Sequence, residues 1–381
     1  MTTQTLDQTL PVGRGRLAVV LVPLALALLG AALRYVAYLS LNPAGSPQGF
    51  AQAMCVWDCS WYGDIAEHGY QLHPEVLNFG GPAGIANWAF FPLFPLLIGG
   101  IERLVAVPLP LLGAIVSPLL TLAAALLSRP LFEGDRRAYY LFSAFLLCGP
   151  FSFYLSTLYS ESLFLLLTVI AFVQLQRRNY IAAGLAGAFL SATRGIGVFF
   201  VFSVLAEALA ELGRRPLADA LKRPDVVLGI VLVPLGLFAF MGWLHYVTGD
   251  ALAFLHIQRG WDREPVGPLA ALWGALTADE GQVRDSLALG ISALVGLALC
   301  GVLAWRRELP QAIFCTLSLV FALGNGVESV LRFVVTLAPL CVVLSQLLGR
   351  WRWLFWLSLL AFAGLGVEGT RLWLQQRGAL M

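Results

Sequence analysis

The run WDCSWYGDIAEHGY, residues 57–70, concentrates ionisable and aromatic side chains that can do acid–base and binding chemistry. Asp58 offers a carboxylate that can take a proton, and Trp57, Tyr62, Asp64 and His68 surround it in sequence with ring faces and hydrogen-bonding groups. A carboxylate within hydrogen-bond reach of an attacking hydroxyl contributes ~10²–10⁴ in rate as a general base. Trp57, Trp61, Ile65 and Gly69 recur at helical spacing, which predicts an amphipathic helix lying along the outer membrane surface. Asp58 and Tyr62 would then occupy adjoining faces, with Asp64 and His68 an i, i+4 pair. A Trp/Tyr belt helix with solvated acids accounts for the same pattern without any chemistry.

Further ionisable residues fall in or beside apolar runs, where each costs at least ~2.5–3.5 kcal/mol on insertion scales and so asks for a partner or a job. Glu161 lies between two such runs and reads either as a functional acid or, with Ser160, as a helix N-terminal cap. Arg194 stands mid-run with no acid within a helical turn, a pattern that snorkelling explains poorly. Arg332 follows Glu328 at i, i+4, the spacing of a simple surface pair, and Arg34 reads as a snorkelling anchor near the end of the first helix. His256, Gln258, Arg259, Trp261 and Arg263 form a polar and aromatic group suited to a sugar face and a phosphate, or to an interfacial anchor.

The elements that must position these residues are membrane helices. Hydrophobic residues make up 59% of the chain and charged residues 12%, against ~25% charged in soluble domains, and the mean hydropathy is +0.80. These values exclude a soluble enzyme. The 381 residues have room for roughly ten spans of ~20 residues. Apolar runs fall near 17–40, 88–106, 109–128, 138–158, 162–176, 180–209, 226–247, 286–304, 310–325, 332–348 and 353–373. The fold expected is all-α: a single transmembrane domain over 1–381 with about 9–11 spanning segments. The first run is long and lacks a small-residue cleavage site, so it is expected to stay as an anchor.

Arg14 and Arg16, and the pairs Arg177/Arg178, Arg214/Arg215, Arg306/Arg307 and Arg350/Arg352, mark cytoplasmic loops. The 41–87 loop holds Asp58, Asp64, Glu67 and Glu75 with no Lys or Arg, and the 248–285 loop is also acidic, so both are expected outside. Keeping Arg129, Arg136 and Arg137 inside requires that 88–106, rich in proline, be re-entrant or interfacial. The same logic makes 180–209 two half-helices hinged near Thr193, Arg194 and Gly195. Arginine outnumbers lysine 23 to 1, which suggests a GC-rich genome and a bacterial plasma membrane. Cys148, Cys300, Cys315 and Cys341 lie in apolar runs and read as small hydrophobes. Cys55 and Cys59 are expected as free thiols, because an i, i+4 disulfide would strain a helix.

The stretch WDCSWYGDIAEHGY followed by AFFPLFPLL resembles the first external loop of PIG-V-type mannosyltransferases, members of the GT-C class of membrane glycosyltransferases. YSESLFLLL (159–167), ATRGIG (192–197), TGDALAFLHIQRGW (248–261) and RFVVTLAPL (332–340) continue the resemblance in order, so that it spans roughly 55–340. It implies a GT-C-like helical bundle and transfer of a hexose, typically mannose, from a polyprenyl phosphate at the extracytoplasmic face. Asp58 corresponds to the catalytic acid of the first loop, Glu161 to the second external-loop carboxylate, and Arg194 to the arginine of the TR-containing segment. His68 and Tyr70 belong to the IAEHGY match. Asp64 departs from the apolar residue usual in eukaryotic members, and no DxD-type pair is present, so the sequence leaves the use of a divalent metal open.

The reaction implied is direct displacement with inversion at the anomeric carbon. Asp58 would be the base, Arg194, Arg259 or Arg332 would face the phosphate, and Glu161 and His68 would orient the sugar or acceptor. Partners implied are a lipid-linked sugar donor, a glycolipid, glycan or protein acceptor and the bilayer, with no nucleic acid. Two other classes fit parts of the pattern. One is a multi-pass transporter or lipid flippase with Arg194 at a midplane site, and the other is a catalytically silent assembly partner.

Overall fold

In the computed structural model the described residues are 12–74, 84–213, 219, 222–261, 267–277, 283–324, 326–327 and 329–377. Arg214, Arg215, Glu75, Arg263 and Glu328 therefore lie outside them. Among the described residues every element is helical. The first half of the chain forms α1 (Val12–Leu41), α2 (Pro47–Met54), α3 (Cys59–His68), α4 (Leu93–Val105), α5 (Leu109–Leu127), α6 (Arg136–Cys148), α7 (Glu161–Gln176), α8 (Tyr180–Thr193) and α9 (Phe200–Leu212). The second half continues with α10 (Pro224–Leu232), α11 (Leu235–Thr248), α12 (Ala253–His256), α13 (Pro268–Thr277), α14 (Val283–Trp305), α15 (Leu309–Leu323), α16 (Val330–Thr336), α17 (Ala338–Gly349) and α18 (Arg352–Leu374). The protein is an all-α polytopic membrane protein.

Among the described residues four helices are long and apolar enough to cross a bilayer, and six spans result if the bent pairs α10–α11 (42°) and α16–α17 (74°) each count as one. Four shorter apolar helices, α7, α8, α13 and α15, pack among them. Of the proline-rich 88–106 run only Leu93–Val105 is α-helical, 13 residues in all, which at ~1.5 Å per residue is too short to span ~30 Å of hydrocarbon. The 180–209 run breaks as expected: α8 ends at Thr193, Arg194 is extended, and a 3₁₀ turn over Gly195–Phe199 leads into α9.

The ends of the helices sort by chemistry. Tyr180, at the start of α8, donates to Glu211 at 2.6 Å, and Arg223 reaches the same carboxylate at 3.0 Å, tying α8, α9 and the start of α10. The start of α7, the end of α8 and the start of α16 meet at the opposite end. Apolar side chains fill two cores between these ends, one around Phe142, Tyr154 and Trp373, the other around Phe172, Phe200 and Phe314.

Arg34 is not a snorkelling anchor. It is 4% exposed, and its Nη1 donates to the Leu147 carbonyl oxygen at 2.8 Å. A helix leaves its last four carbonyls without partners, and a cation there also suits the dipole, so Arg34 answers an electrostatic need of α6 that lies far away in sequence. Gly30, one turn earlier on α1, lets the two backbones approach so closely that an added Cβ would overlap the Leu147 oxygen. Gly30→Val is expected to lower the melting temperature of the detergent-solubilised protein markedly. Gly364→Val, at a position with open space around it, should leave it nearly unchanged, and equal effects of the two would contradict this close contact.

Candidate active site

Asp58 does not lie within a helix beginning at Trp57. Trp57 has a left-handed φ of 51°, Asp58 occupies the position before α3, and the helix starts at Cys59. Nor is α3 a surface belt, since Trp61 and Ile65 are 8% and 1% exposed. Cys55 and Cys59 form a disulfide with a Cα–Cα separation of 5.2 Å, which corrects the expectation of free thiols. No continuous helix has to carry the bridge, because Cys55 terminates α2 and Cys59 opens α3, with the Val56–Trp57–Asp58 turn between them.

Three remote groups hold that turn. Tyr159 Oη donates to Val56 O at 2.8 Å and accepts from Asp58 N at 3.1 Å. Thr157 Oγ1 and Trp373 Nε1 both donate to Met54 O, at 2.9 and 3.0 Å. Sequence reasoning missed Trp373, on α18. Its indole is fully buried and packs edge-on to Trp57 with centroids 4.6 Å apart. The one signal available was a tryptophan near the end of an apolar run.

Arg332, Glu161 and Arg194 come together behind Asp58. Arg332 Nη1 meets Asp58 Oδ2 at 2.5 Å and Arg332 Nε meets Glu161 Oε1 at 2.6 Å. Arg194 Nη1 bonds the same Glu161 oxygen at 2.8 Å. Two carboxylates and two guanidiniums thus alternate, so the local charge balances. Glu161 opens α7 with its side chain 0% exposed, and Ser160 does not cap that helix because its hydroxyl is engaged by Tyr62 Oη at 2.7 Å. Tyr62 is pushed up above the ordinary phenol range, first by burial and then by the Glu161 charge. Arg332 is thus held by Asp58 and Glu161, while Glu328, its expected surface partner, lies outside the described residues. The Arg194 guanidinium also stacks over the Phe333 ring at 4.6 Å, and that of Arg332 over Tyr159 at 4.8 Å.

A cavity of about 400 Å³ opens beside this cluster, lined by Asp58, Arg194, Gln258 and Arg332 on its polar side and by Trp57, Trp61, Tyr62 and the rings of Phe91, Phe254 and Phe333 elsewhere. Asp58 is 26% exposed and Arg194 15%. Among the described residues, only Oδ2 of Asp58 and Nη1 of Arg194 are engaged in hydrogen bonds. Asp58 Oδ1, Arg194 Nε and Arg194 Nη2 accept or donate no hydrogen bond among the described residues. The stacked rings of Trp61 and Phe90, with centroids 5.4 Å apart, form part of the wall.

Several sequence candidates sit elsewhere. Asp64 is 5% exposed, accepts from Asn87 Nδ2 at 2.9 Å and pairs with His68 Nδ1 at 3.2 Å. Both residues line a separate depression of about 240 Å³ beside the disulfide. His256 pairs with Asp250 at 2.6 Å on the surface, and that hydrogen bond holds the Asp250 carboxyl below its usual range. Arg259 is exposed and Trp261 is the last described residue of its turn. Glu161 does not line the cavity. Among the described residues no group of three or more His, Cys, Asp or Glu side chains is placed to hold a metal ion.

The curated relatives are mammalian. Over 234 residues the chain is 30% identical to mouse GPI alpha-1,6-mannosyltransferase 2, a match covering 55% of this chain and 45% of that one. The chain is a homologue of the PIG-V mannosyltransferases. The rat and Chinese hamster counterparts are each 32% identical, over 179 and 168 residues, covering 42% and 40% of this chain and 34% and 31% of theirs. The chain thus matches less than half the length of these PIG-V relatives. No family model matches it. Among solved structures, an Archaeoglobus fulgidus oligosaccharyltransferase superposes with a TM-score of 0.46 at 15% identity, over 92% of this chain and 53% of that one.

The ion cluster sets a stability test. Glu161→Ala leaves Arg194 and Arg332 facing each other without the carboxylate between them, and removing one partner of a buried pair costs about 3–5 kcal/mol. The expected readout is a clear fall in melting temperature in detergent. An unchanged melting temperature would mean that Glu161 does not hold the two arginines together.

Proposed function

We propose that the chain is a membrane glycosyltransferase that moves a hexose, mannose, from a polyprenyl phosphate to a hydroxyl acceptor at the extracytoplasmic face. The observation that carries this is Asp58 on the wall of a cavity that also presents Arg194 and Gln258, with one carboxylate oxygen held by Arg332 and the other open. The name of the mammalian relatives supports the mannosyl choice. A disulfide in the 54–59 turn supports the outer side of the membrane, because such bonds persist in oxidising compartments. The absence of Lys and Arg from 41–87 agrees.

In this mechanism the acceptor oxygen attacks the anomeric carbon from the face opposite the phosphate. The new C–O bond forms as the C–O bond to phosphate breaks, and configuration inverts. Asp58 Oδ1 takes the hydroxyl proton, and the polyprenyl phosphate leaves with the bonding pair. Arg194 is favoured over Arg332 and Arg259 for the phosphate: its Nε and Nη2 are open at the cavity, whereas Arg332 is spent on two carboxylates and Arg259 lies on the surface. Arg332 fixes Asp58, and Glu161 fixes both arginines rather than the sugar. Gln258 and the Trp61–Phe90 wall suit the sugar, and Phe91, Phe254 and Ile196 suit the first isoprenes. The acceptor is a glycolipid, glycan or protein hydroxyl.

Purified protein given radiolabelled polyprenyl-phosphate mannose and a membrane extract should yield a labelled product. Asp58→Asn, which keeps the shape, should reduce its formation by about 10²–10⁴. Product formed equally by the two proteins, or no product from any polyprenyl-phosphate sugar, would favour a transporter.

A further inference from the structure

Of the groups around the cavity, Tyr159 touches the most machinery while touching no substrate space. It is 1% exposed and sits between the 3₁₀ turn over Tyr154–Ser156 and the start of α7. Its hydroxyl donates to Val56 O and accepts from Asp58 N, so it brackets Trp57 from both sides. Trp57 holds a left-handed backbone, which L residues keep only where the surroundings over-determine it. The face of the same ring lies 4.8 Å from the Arg332 guanidinium that grips the Asp58 carboxylate.

We propose that Tyr159 is a positioning residue for Asp58: its hydroxyl fixes the backbone that carries the base, and its ring seats the arginine that orients the carboxylate. This rests on the reading of Asp58 as the general base. Burial pushes the phenol well above its ordinary range, so at neutral pH it acts as a fixed donor and not as a proton carrier. A base must stay within about 3 Å of the proton it takes, and a misplacement of about 1 Å can cost 10²-fold.

Tyr159→Phe removes the hydroxyl and keeps the ring. In the labelled-mannose assay kcat should fall about 10- to 100-fold, with donor KM changed less than about 2-fold because the phosphate-facing Arg194 is untouched. In an Asp58→Asn background the same change should cost nothing further, whereas a merely structural role would lower the residual rate again. A proportional loss in both backgrounds, or a rise in KM with kcat unchanged, would overturn the proposal. A measurement on the unaltered protein stands even if the variant fails to fold: the Asp58 amide should be protected in hydrogen exchange, and exchange at the rate of a free peptide would overturn it too. Full activity of Asp58→Asn sinks the reading of the base. An inactive Asp58→Asn beside an unimpaired Tyr159→Phe sinks only the role of Tyr159.

Discussion

A fully buried carboxylate shared by two guanidiniums is the constraint around which this end of the bundle is arranged. Glu161 at 0% exposure is costly to bury alone, since the penalty for an ion away from water is still several kcal/mol after relaxation. Arg332 and Arg194 offset that penalty, and they come from elements that share no local sequence with α7: one from the short helix α16, the other from the break after α8. The pairing therefore fixes where three elements end relative to one another. It also leaves Arg332 with a second acid to satisfy, and that acid is Asp58.

The turn carrying Asp58 is pinned in the same way, by long-range contacts rather than by helical regularity. Tyr159, Thr157 and Trp373 supply hydrogen bonds to residues 54–58 across separations of 101 to 319 residues, and the Cys55–Cys59 bond closes the turn locally. Helices do the positioning and loops carry the chemistry, as expected where function is built on a rigid scaffold. Two of the charge clusters among the described residues lie at helix ends. The one at Glu211 and Arg223 is partly buried and ties elements together, whereas the one at Glu161 is sealed on its inner side and opens onto a cavity through Asp58 and Arg194.

Much of this was legible in the sequence for one physical reason: an ionisable residue in an apolar run is expensive, so it marks a site. That reasoning singled out Asp58, Glu161, Arg194 and Arg332, which the fold brings into one ion cluster, and it placed the break in the 180–209 run near Arg194, where the backbone does turn extended. What local spacing cannot supply is partners. Arg332 stands at pair spacing from Glu328, and nothing local in the sequence announces its bond to Glu161 at a separation of 171. Arg34 looked like a snorkelling anchor, yet it bonds a carbonyl 113 residues away. The cysteines looked unbridgeable only because a continuous helix was assumed through Trp57. His68 and His256 looked like site groups because they are near in sequence, but each is held by its own neighbouring acid outside the main cavity.

The central claim is that one cavity brings a lipid phosphate to Arg194 and an anomeric carbon to Asp58. An experimental structure of the purified protein with a non-hydrolysable mannosyl-phosphate lipid tests it most directly. The account predicts phosphate oxygens within about 3 Å of the Arg194 guanidinium, the sugar between Gln258 and the Trp61–Phe90 wall, and Asp58 facing the side of the anomeric carbon away from the phosphate. A lipid phosphate bound at the Glu211 end of the bundle, or a sugar turned so that the phosphate stands between Asp58 and the anomeric carbon, would contradict it.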